Sequence, residues 1–231
     1  MYFRILHDSA SGELTYLLAD LDAREAVLVD PHGRDLPLLR ALLAERDLRL
    51  RWVLRTHEHD AQMPQEPALL AALGAPLVQG QSGGPRSQRA GEGDIYPFGH
   101  ELIRVLATPG HTTGCLSFFW RDRLFCGGLL AVDTCPHQRV PAAPEALWDS
   151  VKQCVFTLPD ETLLFAGHER CGRAVSTVLE QRRWHPLFAA LSRDAFLARI
   201  ASLPAGESAL QPEPDGWRQS HGGGATWSCV M

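Results

Sequence analysis

Three times along this chain an apolar strand pattern runs out into a histidine. Arg51-Trp52-Val53-Leu54 leads into Thr56-His57-Glu58-His59, Glu101 to Ala107 leads into Thr108-Pro109-Gly110-His111-Thr112, and Thr162-Leu163-Leu164-Phe165 leads into Ala166-Gly167-His168. A strand end is a rigid place to mount a ligand, and two imidazoles two residues apart at the mouth of a strand can converge on one cation. One H-x-H alone is weak evidence. Three strand-to-loop junctions that each end in a histidine are hard to attribute to chance, and they ask the fold to bring several strand ends together.

The elements between these junctions alternate in type. Leu14 to Leu18 and Ala26 to Asp30 read as two strands joined by a polar turn. Leucines at 36, 38, 39, 42 and 43 give Asp35 to Arg46 one apolar helical face, and the strand ending at Leu54 follows. A second helix is expected from Glu66 to Leu73, closed by Gly74, and then the strand Pro76-Leu77-Val78. Gln81 to Gly93 lacks apolar periodicity and reads as a surface loop. Strands are expected at Glu101 to Ala107, Cys115 to Trp120 and Arg123 to Cys126. Helices are expected over Pro144 to Phe156, Ala174 to Arg183 and Ser192 to Leu203. Strands interleaved with single helices predict a layered α/β domain over residues 1–203, with 204–231 as a loosely held tail rich in Gly, Pro and Ser.

At 231 residues the chain is long enough for one domain with a substantial core. Its net charge of -5 and the lack of a basic run argue against a nucleic-acid partner. No signal-peptide pattern opens the chain and no apolar run approaches the roughly 18 residues of a membrane span, so a cytoplasmic protein without a membrane partner is expected. Cys115, Cys126, Cys135, Cys154, Cys171 and Cys229 are scattered without a C-x-x-C pair and read as reduced, mostly buried thiols.

The order T-H-x-H, then T-P-G-H-T, then a strand ending in G-H, resembles the metallo-β-lactamase superfamily. That resemblance implies a four-layer αβ/βα sandwich with metal at one edge. Tyr2 to Arg4, Thr15 to Asp20, Arg24 to Pro31, Ala107 to Cys115, Phe156 to Asp160 and Val175 to Val178 are similar to the persulfide dioxygenase branch, which is related to glyoxalase II. Such enzymes oxidise glutathione persulfide to sulfite and glutathione with O₂ at one iron, and they are often homodimers. Their iron is held by the first His of T-H-x-H, the His of P-G-H-T and the Asp of a T-G-D motif.

His57 and His111 match the first two ligands, but the third position reads Cys126-Gly127-Gly128 and has no carboxylate. The second half of T-H-x-H-x-D-H fails at Ala61 and Gln62, so of the second metal site only His168 is left. His57, His59 and His111 are still three neutral imidazoles able to hold one divalent ion, with His168 nearby. Asp60 and Asp133 are conceivable replacements for the missing anion, and Cys126 shares a strand face with Gly128. The family's glutathione-holding Arg and Tyr align with His137 and Arg170; Arg139 and Arg170 are suited to pair with the carboxylates of an anionic thiol. His7, His32, His100, His185 and His221 receive no role.

The resemblance implies a small-thiol persulfide oxidised at a single metal, iron before zinc. Two alternatives stand beside that reading: a metal-free pseudoenzyme that keeps the fold as a binding module, and a mononuclear zinc thioester or ester hydrolase.

Overall fold

The computed structural model describes residues 1–59, 64–81, 87–130, 135, 137–138, 140–170 and 173–202. Its first half is a six-stranded sheet in the order β1 (Tyr2–His7), β2 (Leu14–Asp20), β3 (Glu25–Val29), β4 (Arg49–Leu54), β5 (Leu77–Gln79) and β6 (Ser87–Arg89). The second half is another six-stranded sheet, running β7 (Ile95–Phe98), β8 (Glu101–Ala107), β9 (Leu116–Trp120), β10 (Arg123–Gly127), β11 (Leu163–Arg170) and β12 (Arg173–Thr177) from one edge to the other. Both sheets are mixed: β1 to β3 are antiparallel and β3 to β6 parallel, whereas β10 and β11 form a parallel pair between antiparallel neighbours.

The layering follows from alternation along each strand, because successive side chains leave a strand on opposite faces. In β2 and β3, Tyr16, Leu18, Val27 and Val29 point inward and meet Val105, Phe118, Phe125 and Phe165 of the other sheet in one buried cluster. Leu17, Ala19, Ala26 and Leu28 point outward and are covered by Leu39, Leu42 and Leu43 of α1 (Leu36–Glu45). On the far side Leu124, Cys126 and Leu164 are covered by Leu147, Trp148, Phe188, Phe196 and Ile200. These belong to α3 (Pro144–Asp149), the stretch after α4 (Val178–Trp184), and α5 (Arg193–Ala201). With α2 (Glu66–Ala71) beside β5, the result is helix, sheet, sheet, helix, the expected αβ/βα sandwich.

Three expectations change. The predicted helix over 174–183 is a strand for its first half: β12 pairs antiparallel with β11, and α4 begins only after Thr177, whose hydroxyl accepts from the Glu180 amide. Pairing with an exposed sheet edge overrides helix propensity there, and Thr177-Val178-Leu179-Glu180 is a capping-box pattern that marks the true start. The loop predicted from Gln81 carries β6, parallel to β5. Strand β7 is an additional edge strand, where Pro97 is tolerated because one side of an edge needs no amide donor. The expected helix over 144–156 forms, but its second half, Ser150–Val155, is a π-helical turn. Asp60, Ala61, Gln62, Asp133, Arg139, His221 and the tail lie outside the described residues, as does the side chain of Arg170.

Candidate metal centre

The strand-end histidines meet where the two sheets open at one edge. His57 and His59 follow β4, His111 follows β8, and His168 lies on β11. Their ring centroids are 4.9 Å apart for His57 and His59, 5.0 Å for His57 and His111, 5.3 Å for His59 and His111, and 5.6 Å for His57 and His168. All four of the predicted histidines are thus in one cluster.

Backbone geometry delivers each ring. Asp30, at the end of β3, adopts a left-handed conformation with φ 49°, unusual for a residue with a side chain. Its carboxylate accepts from the Thr56 amide and hydroxyl, both at 2.7 Å, and the Thr56 hydroxyl oxygen is 2.8 Å from His57 Nδ1. With the hydroxyl proton given to Asp30, the oxygen accepts from His57 Nδ1–H, which leaves Nε2 as a lone-pair ligand. Gly110, at φ 145°, turns the chain so that His111 enters the site, and a Cβ there would come within 2.3 Å of the Leu147 backbone. The turn is held by the Ser150 hydroxyl, which donates to the Pro109 carbonyl at 2.7 Å.

His111 Nε2 lies 3.0 Å from the Gln138 carbonyl oxygen. A carbonyl only accepts, so Nε2 carries the proton and Nδ1 is bare. That Nδ1 is buried without a partner among the described residues, as are Nδ1 of His59 and Nδ1 of His168. It abuts Gly128: a Cβ built at Gly128 would be 2.2 Å from it. The His111 ring therefore occupies the space that a side chain at position 128 would need.

Burial also sets the charge state. It holds His57 well below the usual imidazole range, with the neighbouring His111, His168 and His59 adding to the effect. It lowers His59 to about 3 and His168 to about 4. His111 is lowered to about 4 by burial, against the opposing pull of the Gln138 carbonyl. Neutral imidazoles are the metal-binding form.

Cys135 is a participant that sequence reasoning missed. Its buried Sγ is 3.2 Å from His59 Nε2, and ligand atoms of His57, His59 and Cys135 all lie within 4.8 Å of one another. No spacing rule reaches it, since it stands far from either histidine in the chain. Cys126 faces the helix side instead, donates to the Phe165 carbonyl at 3.4 Å, and is pushed up to about 12 by burial, so it is a structural thiol. The orphaned imidazole nitrogens and the converging N and S donors fit a divalent cation.

An adjoining cleft is lined by Glu13, His32, Arg55, Glu66, His137 and the rings of His57, His59 and His168. Burial favours the neutral form of Glu13, but His32, the Arg34 guanidinium and the Ser11 hydroxyl overcome it and hold Glu13 at about 2. His137 Nε2 is 3.3 Å from Glu13, and the His137 ring centroid is 5.3 Å from that of His59. His137 therefore lines the cleft between Glu13 and the His59 ring. His32, assigned no role from sequence, has its Nδ1 3.9 Å from both Glu13 and Glu66. His185 is buried and bonded to the Leu130 carbonyl at 3.0 Å, away from the cluster.

No family model matches the chain. It is 32% identical over 205 residues to human mitochondrial persulfide dioxygenase ETHE1, covering 87% of this chain and 80% of that protein. Among solved structures, ETHE1 from Myxococcus xanthus superposes with a TM-score of 0.78 at 36% identity, covering 88% of this chain and 92% of the other. A Staphylococcus aureus metallo-β-lactamase superposes with a TM-score of 0.70 at 20% identity, over 87% of this chain and 66% of that one, and so shares the fold.

Proposed function

The chain belongs to the persulfide dioxygenase branch of the metallo-β-lactamase superfamily, and from that premise we propose that it oxidises a small-thiol persulfide with O₂ at a single divalent metal. The observation that carries the reading is the cluster of four neutral histidines at the ends of β4, β8 and β11, three of them buried and His57 half-buried, in a chain related to these enzymes over most of its length.

In the net reaction the outer sulfur of the persulfide takes up both oxygen atoms of O₂ and one from water. The S–S bond breaks, sulfite leaves with two protons, and the thiol is released reduced. Iron, if bound at the histidines, would supply the redox chemistry that ground-state O₂ needs to react with sulfur; we prefer it to zinc for that reason. His57 and His59 would hold it, with His111 and His168 completing the set.

The chain's own residues do the remaining work. Asp30 and Thr56 fix the His57 ring, and burial keeps protons off the ligand nitrogens. His137, held by Glu13, faces the site and can hold or release a proton at Nε2 as the thiol leaves. Arg170 and Arg139 are the proposed partners for the carboxylates of a glutathione-type thiol. Among the described residues no helix is long and apolar enough to cross a membrane. We extend the proposal to a homodimer in the cytoplasm.

Metal analysis of anaerobically purified protein, followed by oxygen uptake and sulfite release on adding glutathione persulfide, tests the reading. About one iron per chain, abolished by His57→Ala and by His111→Ala, with sulfite formed in proportion to O₂ consumed, is the expected result. Zinc with thioester cleavage and no oxygen uptake would replace it with the hydrolase; no metal after reconstitution would leave a binding module.

A further inference from the structure

We infer that Cys135 supplies the anionic metal ligand that position 128 lacks, so that its thiolate joins the imidazoles of His57 and His59 on the ion. The inference rests on the metal-dependent reading above and names a donor that the strand-end pattern does not contain.

Space, distance and charge carry it. The position where the related enzymes carry an aspartate is Gly128, and it cannot simply regain a side chain, because the His111 ring fills the volume of its Cβ. The His111 Nε2 is committed to the Gln138 carbonyl, so only its Nδ1 is left to the cluster. What does converge with His57 and His59 is sulfur, with the three ligand atoms mutually within 4.8 Å. Tetrahedral coordination with metal–nitrogen bonds of about 2.0–2.1 Å and a metal–sulfur bond of about 2.3 Å puts neighbouring donors roughly 3.3–3.6 Å apart. The Cys135–His59 separation of 3.2 Å therefore has to open by only a few tenths of an ångström.

Charge balance points the same way. Three neutral imidazoles leave a divalent ion with its full charge in a buried site, whereas one thiolate removes one unit, as the lost carboxylate would. Cys135 is fully buried. It also sits beside His59, itself buried with an unpartnered Nδ1. A donor set of imidazole and thiolate selects iron or zinc over magnesium, calcium or manganese.

The test is X-ray absorption on the full chain reconstituted anaerobically with Fe(II) and, separately, Zn(II), together with the optical spectrum of the Co(II) form. One sulfur scatterer at roughly 2.3 Å and a sulfur-to-cobalt charge-transfer band are expected. Both should vanish in Cys135→Ser and survive in Cys126→Ser. Metal affinity of Cys135→Ser should fall at least as far as the roughly 10–100-fold that loss of an outer-shell partner costs. Wild-type protein that binds one metal through nitrogen and oxygen alone would overturn the role of Cys135 and leave the histidine site standing. Wild-type protein that binds no metal would overturn both; the wild-type measurement alone decides, whether or not the variants fold.

Discussion

Acid should destabilise the chelator-treated protein well above the pH at which carboxylates protonate, and the histidine cluster sets the amount. His59 is lowered to about 3 and His111 and His168 to about 4, against 6.5 for an unperturbed histidine. A group whose folded pKa is depressed binds its proton preferentially in the unfolded chain. Between pH 6.5 and about 4 the unfolded state therefore holds more protons, and stability is lost as pH falls. At pH 5.5 each of the three contributes about 1.4 kcal/mol of that loss, against less than about 0.1 kcal/mol at pH 7.5. Together they remove about 4 kcal/mol from the roughly 5–15 kcal/mol that a domain of this kind has available, and His57 adds to it in the same direction. Glu13, held at about 2, acts in a separate window: its contribution is present above its unfolded value and fades only as pH falls below about 4.5. Urea unfolding at pH 7.5, 6.5 and 5.5, with chelator present throughout, measures the slope. A free energy of unfolding that is flat or rises between pH 7.5 and 5.5 would refute the argument, because it would mean that the rings are solvated or already charged.

Three substitutions probe the supports of the site. Gly128→Ala places a methyl group 2.2 Å from His111 Nδ1, and overpacking should cost roughly 1–3 kcal/mol; an unchanged melting temperature would show that the ring moves aside freely. Thr56→Val removes the hydroxyl between Asp30 and His57. We expect metal affinity to fall roughly 10–100-fold and stability by roughly 1–3 kcal/mol, and chelator competition with denaturant titration reads both; wild-type affinity would show that the hydroxyl does not orient His57. Tyr16→Phe leaves the Ala166 carbonyl, 2.5 Å from the Tyr16 hydroxyl across the two sheets, without that donor. It should cost roughly 1–3 kcal/mol while metal content stays at the wild-type level, and a loss of metal without a loss of stability would contradict the structural role.

The architecture was legible because its signals are local. Alternation in β2 and β3 puts Tyr16 and Leu18 on one face and Leu17 and Ala19 on the other, and both faces are buried as that pattern requires. The H-x-H after β4 and the P-G-H turn after β8 likewise announce themselves, since strand end and histidine are neighbours in the chain. Even the true start of α4 is written in Thr177 and Glu180, although the strand before it is not: β12 exists because β11 offers it an edge.

What the chain could not disclose by itself is whatever depends on distant residues sharing a volume. Cys135 meets His59, Glu13 meets His137, and His32 stands between Glu13 and Glu66, all across intervals with no periodicity to reveal them. Nor does a glycine at position 128 say what takes the vacated space; the packing of His111 against it does. Sequence determined which strand ends carry imidazoles, because backbone pattern is a property of neighbours. Tertiary structure alone decided which other donor reaches them, because coordination is a property of distance in space.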